Sequence, residues 1–188
     1  MSKESLDERG RALEGKFFKE KEQDQLQKFR AQTQRKAAVS ELADITGFTD
    51  HSILEKVVDL GVTPMTLAAF SIVPMLHVAW ADRVLDEAER KAILLEATAM
   101  GLKSTSPAYA LLEGWLTERP NPELFDAWKA YHQELIGHLS AEERERLTTQ
   151  TLERADKVAR ASGGFLGLAA VSSEERTAIQ ELKQVLEG

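Results

Sequence analysis

A short pattern occurs twice in the second half of this 188-residue chain, and it constrains the fold more than any other feature. Residues 78–93 begin with Val-Ala-Trp-Ala and continue through an acidic stretch to Glu89-Arg90-Lys-Ala-Ile. Residues 158–179 begin with Val-Ala-Arg-Ala and, after a glycine-rich segment, reach Glu175-Arg176-Thr-Ala-Ile. Each copy predicts a helix, a turn and a second helix, so we expect two similar helix pairs that pack against each other.

Signals for helix starts recur along the whole domain. Three pairs have the spacing of a capping box, in which a cap residue is followed three positions later by glutamate. They are Asp86 with Glu89, Ser140 with Glu143 and Ser172 with Glu175. Further start signals are Asp50, Thr63-Pro64, Ser106-Pro107 and Asn121-Pro122. No alternating segment typical of strands is present, so the sequence predicts an all-α fold of six to eight helices.

The most apolar segment runs from Met65 to Ala81 and contains Pro74 and His77. Its 17 residues reach only the lower limit of a membrane span. The internal proline and histidine favour a buried core helix instead. The charged amino terminus does not predict a secretory signal, because no apolar stretch follows its charges.

Composition excludes several chemistries and divides the chain. The absence of cysteine excludes disulfide scaffolds, zinc fingers, iron–sulfur sites and thiol catalysis. Residues 1–46 carry ten Lys/Arg and nine Asp/Glu, a net charge of +1, whereas residues 47–188 carry 14 and 22, a net charge of −8. We therefore predict a helical arm over 1–46, a short connecting helix over 47–61 and a helical domain over 62–188.

The arm contains strong helix formers and no proline, but too few apolar residues for a continuous core-facing stripe. Such a helix is exposed to solvent unless a partner covers it. The alternative is a docking element, with Phe17, Phe18 and Phe29 as anchors beside Arg30. Both interpretations remain open from the sequence.

The repeated motif resembles the TerB-like (tellurite-resistance protein B) family over about residues 62–188. The resemblance rests on six positions of the two copies, namely Trp80, Asp82, Glu89, Gly163, Gly164 and Glu175. It implies a compact helical domain found in cytoplasmic stress-response proteins, some of which bind a divalent metal through their acidic turns. Asp82, Asp86 and Glu89 are the corresponding metal candidates, although Arg83 and Ser162 replace a glycine and an aspartate of the family pattern. The bland alternative is that these acidic residues only cap helices.

Residues 5–47 are also similar to the amino-terminal region of the inhibitory zeta subunits of bacterial rotary ATP synthases. The similarity rests on Asp7-Glu8-Arg9, the segment from Leu13 to Phe17 and the basic stretch that ends at Arg35-Lys36. It implies an arm that engages the catalytic head of such an enzyme.

No catalytic constellation is visible in the sequence. None of the four histidines lies in a nucleophile motif, and the glycine cluster at 163–167 lacks the Gly-Lys-Ser/Thr ending of a phosphate cradle. The acidic charge disfavours nucleic acid. We therefore expect a non-enzymatic, cytoplasmic adaptor that binds a protein partner and needs no organic cofactor. The alternatives are a divalent-metal-binding domain and an ATPase-inhibitor-like regulator.

Overall fold

The computed structural model describes the backbone of residues 3–161 and 171–187 and the side chains of residues 19–161 and 171–187. These residues form helices and no strand, which confirms the all-α prediction. The helices of this part of the chain are α1 (Lys3–Thr46), α2 (His51–Asp59), α3 (Leu67–Phe70), α4 (Val73–Ala79), α5 (Glu87–Ala99), α6 (Pro107–Thr117), α7 (Glu123–Gly137), α8 (Ala141–Ala159) and α9 (Ser173–Glu187). They number nine, one more than the largest number expected.

Local cap chemistry fixes where most of these helices begin. The Asp50 side chain accepts a hydrogen bond from the Ser52 N–H at the start of α2, and the Ser106 hydroxyl accepts one from Tyr109 before α6. Both bonds of the capping box are present at Ser140 and Glu143 before α8. These starts agree with the sequence prediction because a cap needs only residues two or three positions away.

The apolar segment 65–81 is not one helix, which corrects the prediction. It is divided into α3 and α4, and Pro74 occupies the second position of α4. Proline has no N–H and its ring clashes with the carbonyl four residues earlier, so a helix that includes Phe70 cannot continue through Pro74. No helix starts at Thr63-Pro64 either, since the Thr63 N–H donates to the Thr66 hydroxyl in a turn before α3.

The core is organised around α4. This helix contacts α5, α7, α8 and α9, and six of its seven residues are buried. The two copies of the repeated pattern therefore pack together, with α4 and α5 from the first copy against α8 and α9 from the second. No helix among the described residues is both long enough and apolar enough to cross a bilayer.

Helix α1 has two parts that differ in their surroundings. Residues 19–34 are exposed, whereas Val39 and Leu42 are buried in the core. The Arg35 guanidinium joins the helix to α2, with its Nε 2.6 Å from Asp59 Oδ1 and one terminal nitrogen 3.2 Å from Glu55 Oε2. The helical arm expected over 1–46 thus ends where α1 ends, at Thr46, but only the part before about residue 34 projects from the core.

Candidate functional site

The acidic turn of the first repeat is held by backbone N–H groups. Asp86 caps α5 by accepting hydrogen bonds from the N–H groups of Ala88 and Glu89, both at 2.8 Å. In turn, Oε2 of Glu89 accepts a hydrogen bond from the Asp86 N–H at 3.0 Å. The predicted capping box is therefore confirmed, and it turns the Glu89 carboxyl back toward the start of its own helix.

The second repeat builds the same arrangement before α9. The Ser172 N–H donates to Glu175 Oε2 at 2.6 Å, and the Glu175 N–H donates to the Ser172 hydroxyl at 3.0 Å. The serine thus plays the part that Asp86 plays in the first copy. The repeated pattern in the sequence corresponds to a repeated hydrogen-bonding unit.

The glutamates of the two capping boxes meet inside the protein. Glu89 is 3% exposed and Glu175 is 4% exposed, and Glu175 lies close enough to Glu89 to raise the pKa of its carboxyl group. Burial is the largest cause that raises the pKa of Glu89 to about 8, and Glu175 and the charge of Asp86 add to it, whereas the hydrogen bond from the Asp86 N–H acts in the opposite direction. The Glu89 carboxyl therefore keeps its proton near neutral pH.

Among the side chains that the structure describes, no cation pairs with the two glutamates of this acid pair. The arginine after each glutamate reaches a carbonyl instead, with Arg90 donating to the Leu116 oxygen at 3.0 Å and Arg176 to the Ser172 oxygen at 3.3 Å. Glu175 Oε1 is buried and receives no hydrogen bond from any N–H or hydroxyl group.

The predicted metal residues do not form a cluster. Asp82 accepts a hydrogen bond from the Val84 N–H at 2.9 Å, in a turn where Arg83 has a φ of 71°. Asp86 and Glu89 use carboxylate oxygens to bind backbone N–H groups. Among residues 19–161 and 171–187, no three or more metal-capable side chains come together. The metal alternative stays a prediction, which calorimetric titration of calcium, zinc or manganese would test.

The predicted docking residues lie on α1. Phe29 is 67% exposed and Arg30 is exposed beside it. Leu26 is 49% exposed one helical turn before Phe29, so the two apolar side chains share a face. Leu26 is not among the anchors that the sequence predicts. Phe17 and Phe18 lie in the helical backbone of α1, and their side chains are outside the described residues.

The remaining motif residues are placed as follows. Trp80 is half-buried after α4, and its indole N–H donates to the Trp115 carbonyl at 3.0 Å. It lines a cleft of about 600 Å³ that the sequence did not predict. The cleft joins α4, α7 and α9, which are far apart along the chain, so no local pattern could have signalled it. Gly163 and Gly164 lie outside the described residues.

Comparisons with known proteins add no assignment to this geometry. No family model matches the chain, and neither the curated proteins nor the solved structures include a significant match. The resemblance to the TerB-like family and the similarity to the zeta subunits therefore stay predictions. The features of the described residues that bear on function are the acid pair, the cleft and the exposed face of α1.

Proposed function

We propose that the protein is a non-enzymatic helical adaptor that binds a protein partner through the exposed part of α1. The observation that carries this proposal is the pair of adjacent apolar side chains, Leu26 and Phe29, on a helix face that no other described part of the chain covers. A helix in water gains most of its stability from packing an apolar face. A partner groove that covers this face would supply that packing.

The charges beside this face indicate the chemistry of the groove. Lys28 pairs with Asp24 at 2.8 Å, and the Arg35 guanidinium binds the Asp59 carboxylate of α2. Arg30 and Lys36 have no ion-pair partner among the side chains that the structure describes. Because complementary charge favours encounter and register, we expect an apolar groove with an acidic rim.

The buried acid pair supports a binding protein over an enzyme. A general acid must reach the proton-accepting atom of a substrate within hydrogen-bond distance. Glu89 and Glu175 are almost completely covered, and their oxygens bind the backbone of their own helices. The raised pKa of Glu89 is thus accounted for by the packing of the two repeats.

The experiment replaces both apolar side chains in the double variant Leu26→Gln/Phe29→Gln and compares affinity purifications from the native cell. We expect the double variant to lose the proteins that the wild type captures, and the captured partner to bind purified wild-type protein directly. The matched control is Met65→Gln/Leu95→Gln, which removes two similarly exposed apolar side chains from the rest of the surface. Equal capture by the wild type and both variants would contradict the proposal.

Truncation is an independent test, provided that the deleted segment contains no residue of the buried core. Deleting residues 1–46 would remove the buried Val39 and Leu42, so any loss of binding could reflect unfolding. Deleting residues 1–34 removes the projecting part of α1 and keeps Arg35, whose guanidinium binds Asp59 of α2. We expect this shorter deletion to fold and to lose the partner.

The similarity of the arm to zeta subunits suggests one partner to test first. We propose the catalytic head of a rotary ATP synthase as that partner. Wild-type protein should then inhibit ATP hydrolysis by the purified head, and Leu26→Gln/Phe29→Gln should not. Absence of inhibition by the wild type would remove this partner and leave the adaptor proposal to the capture experiment.

A further inference from the structure

A second candidate binding site is the cleft between α4, α7 and α9, which shares no residue with α1. Its volume of about 600 Å³ falls in the range of small-molecule sites. Its aliphatic lining comes from all three helices and includes Val73, Leu76, Leu124 and Val185. Apolar contact area and a concave shape are the first two requirements for holding a small ligand.

Aromatic rings form one wall of this cleft. The Phe125 ring stacks on His77 with a centroid separation of 3.6 Å and an interplanar angle of 4°. The hydrogen bond from Trp80 to the Trp115 carbonyl fixes the indole ring at the edge. Burial lowers the pKa of His77, which keeps the imidazole neutral at physiological pH. The wall therefore presents flat, largely uncharged surfaces to a ligand.

Two of the charged side chains around the opening neutralise each other, since Lys129 pairs with Asp126 at 2.6 Å. The Glu181 carboxylate keeps its charge, and its Oε2 lies 3.2 Å from Nε2 of the neutral His77, which can donate a hydrogen bond to it. Arg119 is exposed on the loop between α6 and α7, and its side chain has no ion-pair or hydrogen-bond partner among the described residues. The cleft thus offers one unpaired cation beside an apolar and aromatic interior.

We propose that this cleft binds a small amphipathic monoanion, with a flat apolar body between Trp80 and Phe125 and a carboxylate or sulfonate facing Arg119. A guanidinium binds such groups through paired N–H donors, which suits a ligand with one acidic group. Polyphosphates fit less well, because the lining contains two carboxylates and the second cation is already paired. The site is distinct from the proposed docking face, so each can fail without the other.

The test uses two probes with the same ring system, the anion 1-naphthoate and the neutral 1-naphthalenemethanol. Each is titrated into the ¹⁵N-labelled full chain, and amide chemical shifts are followed. We expect saturable shifts at residues of the cleft, such as Leu76, Phe125 and Gln184, and tighter binding of 1-naphthoate. Shifts that cluster elsewhere, the lack of saturable binding at millimolar probe, or equal affinity for both probes would overturn the proposal.

Single substitutions separate the contribution of the Arg119 charge to ligand binding from that of the aromatic wall. Arg119→Gln should lower the affinity for 1-naphthoate by roughly three- to fivefold, the range for an ion pair at an exposed rim, and should leave the affinity for the alcohol unchanged. Arg30→Gln makes the same charge change on α1 and should affect neither probe. Phe125→Leu keeps an apolar side chain but removes the stacked ring, so both probes should weaken together while their ratio stays constant. An unchanged naphthoate affinity in Arg119→Gln would remove Arg119 from the site.

Discussion

At the scale of single residues, burial decides what a capping glutamate does. Glu89 and Glu143 occupy the same position of a capping box, yet the pKa of Glu89 is raised and that of Glu143 is lowered. Glu143 is exposed, and hydrogen bonds from the Ser140 N–H and hydroxyl favour its charged form. Glu89 is buried beside a second carboxyl, so desolvation and repulsion outweigh the same type of backbone bond.

This difference predicts opposite pH dependences for two matched variants. Between its ordinary value near 4.5 and about 8, folded Glu89 keeps a proton that the unfolded chain has released, so its contribution to the free energy of unfolding falls as the pH rises. Glu89→Gln cannot ionise and its amide can donate to Glu175. We expect it to gain roughly 1 kcal/mol over the wild type between about pH 5 and pH 9 in urea unfolding.

Glu143→Gln is the control for this experiment. The lowered pKa of Glu143 means that its stabilising effect is present at neutral pH and is lost as the pH falls through the folded value. The control should therefore be less stable than the wild type near pH 7 and should approach it in acid. Parallel stability curves for Glu89→Gln and the wild type would show that the acid pair holds no proton.

At the scale of elements, α1 shows how one helix can serve two environments. An ideal helix of 44 residues is about 66 Å long, which is more than the packed part of α1 can cover. The carboxyl-terminal turns are held by burial of Val39 and Leu42 and by the contacts of Arg35 with α2. In the described residues 19–34, the turns are exposed and are supported by helix propensity and by pairs such as Lys28 with Asp24.

Two leucines on this helix give a matched prediction. Leu42 is completely buried and Leu26 is 49% exposed, so the same substitution has different consequences at the two positions. Leu42→Ala should lower the free energy of unfolding by about 2 to 4 kcal/mol, because it leaves a cavity in the core. Leu26→Ala should change it by less than about 0.5 kcal/mol. Equal effects in urea unfolding would mean that the two parts of α1 are not packed as described.

At the scale of the whole molecule, the sequence predicted what depends on neighbours along the chain. The helix starts at Asp50, Asp86 and Ser140 are set within three residues, and the exposure of Phe29 follows from the lack of an apolar stripe. The prediction of one core helix over 65–81 was wrong because it followed the apolar character of the segment and gave too little weight to Pro74, which cannot continue a helix that includes Phe70.

Long-range contacts could not be predicted in the same way. The repeated pattern was visible, but the meeting of Glu89 with Glu175 depends on how the two helix pairs pack. The buried Glu96 of α5 is another example, since its partners Arg154 and Lys157 come from α8. A single sequence contains the residues of such contacts but not the distance between them, so the acid pair and the cleft emerged only from the fold.

The two environments of α1 also predict how the whole molecule opens in solution. Amides of residues 19–34 have no tertiary contacts to protect them, so they should exchange with deuterium through local fraying. Amides of α4, which is surrounded by four helices, should exchange only through global unfolding. Hydrogen exchange with mass spectrometry measures both. Across the pH range, the exchange rates of the α4 amides should fall as the free energy of unfolding rises, and those of residues 19–34 should not follow it. Protection of residues 19–34 equal to that of α4 in the purified protein would mean that a second copy already covers this face, and addition of the captured partner would then cause no further protection.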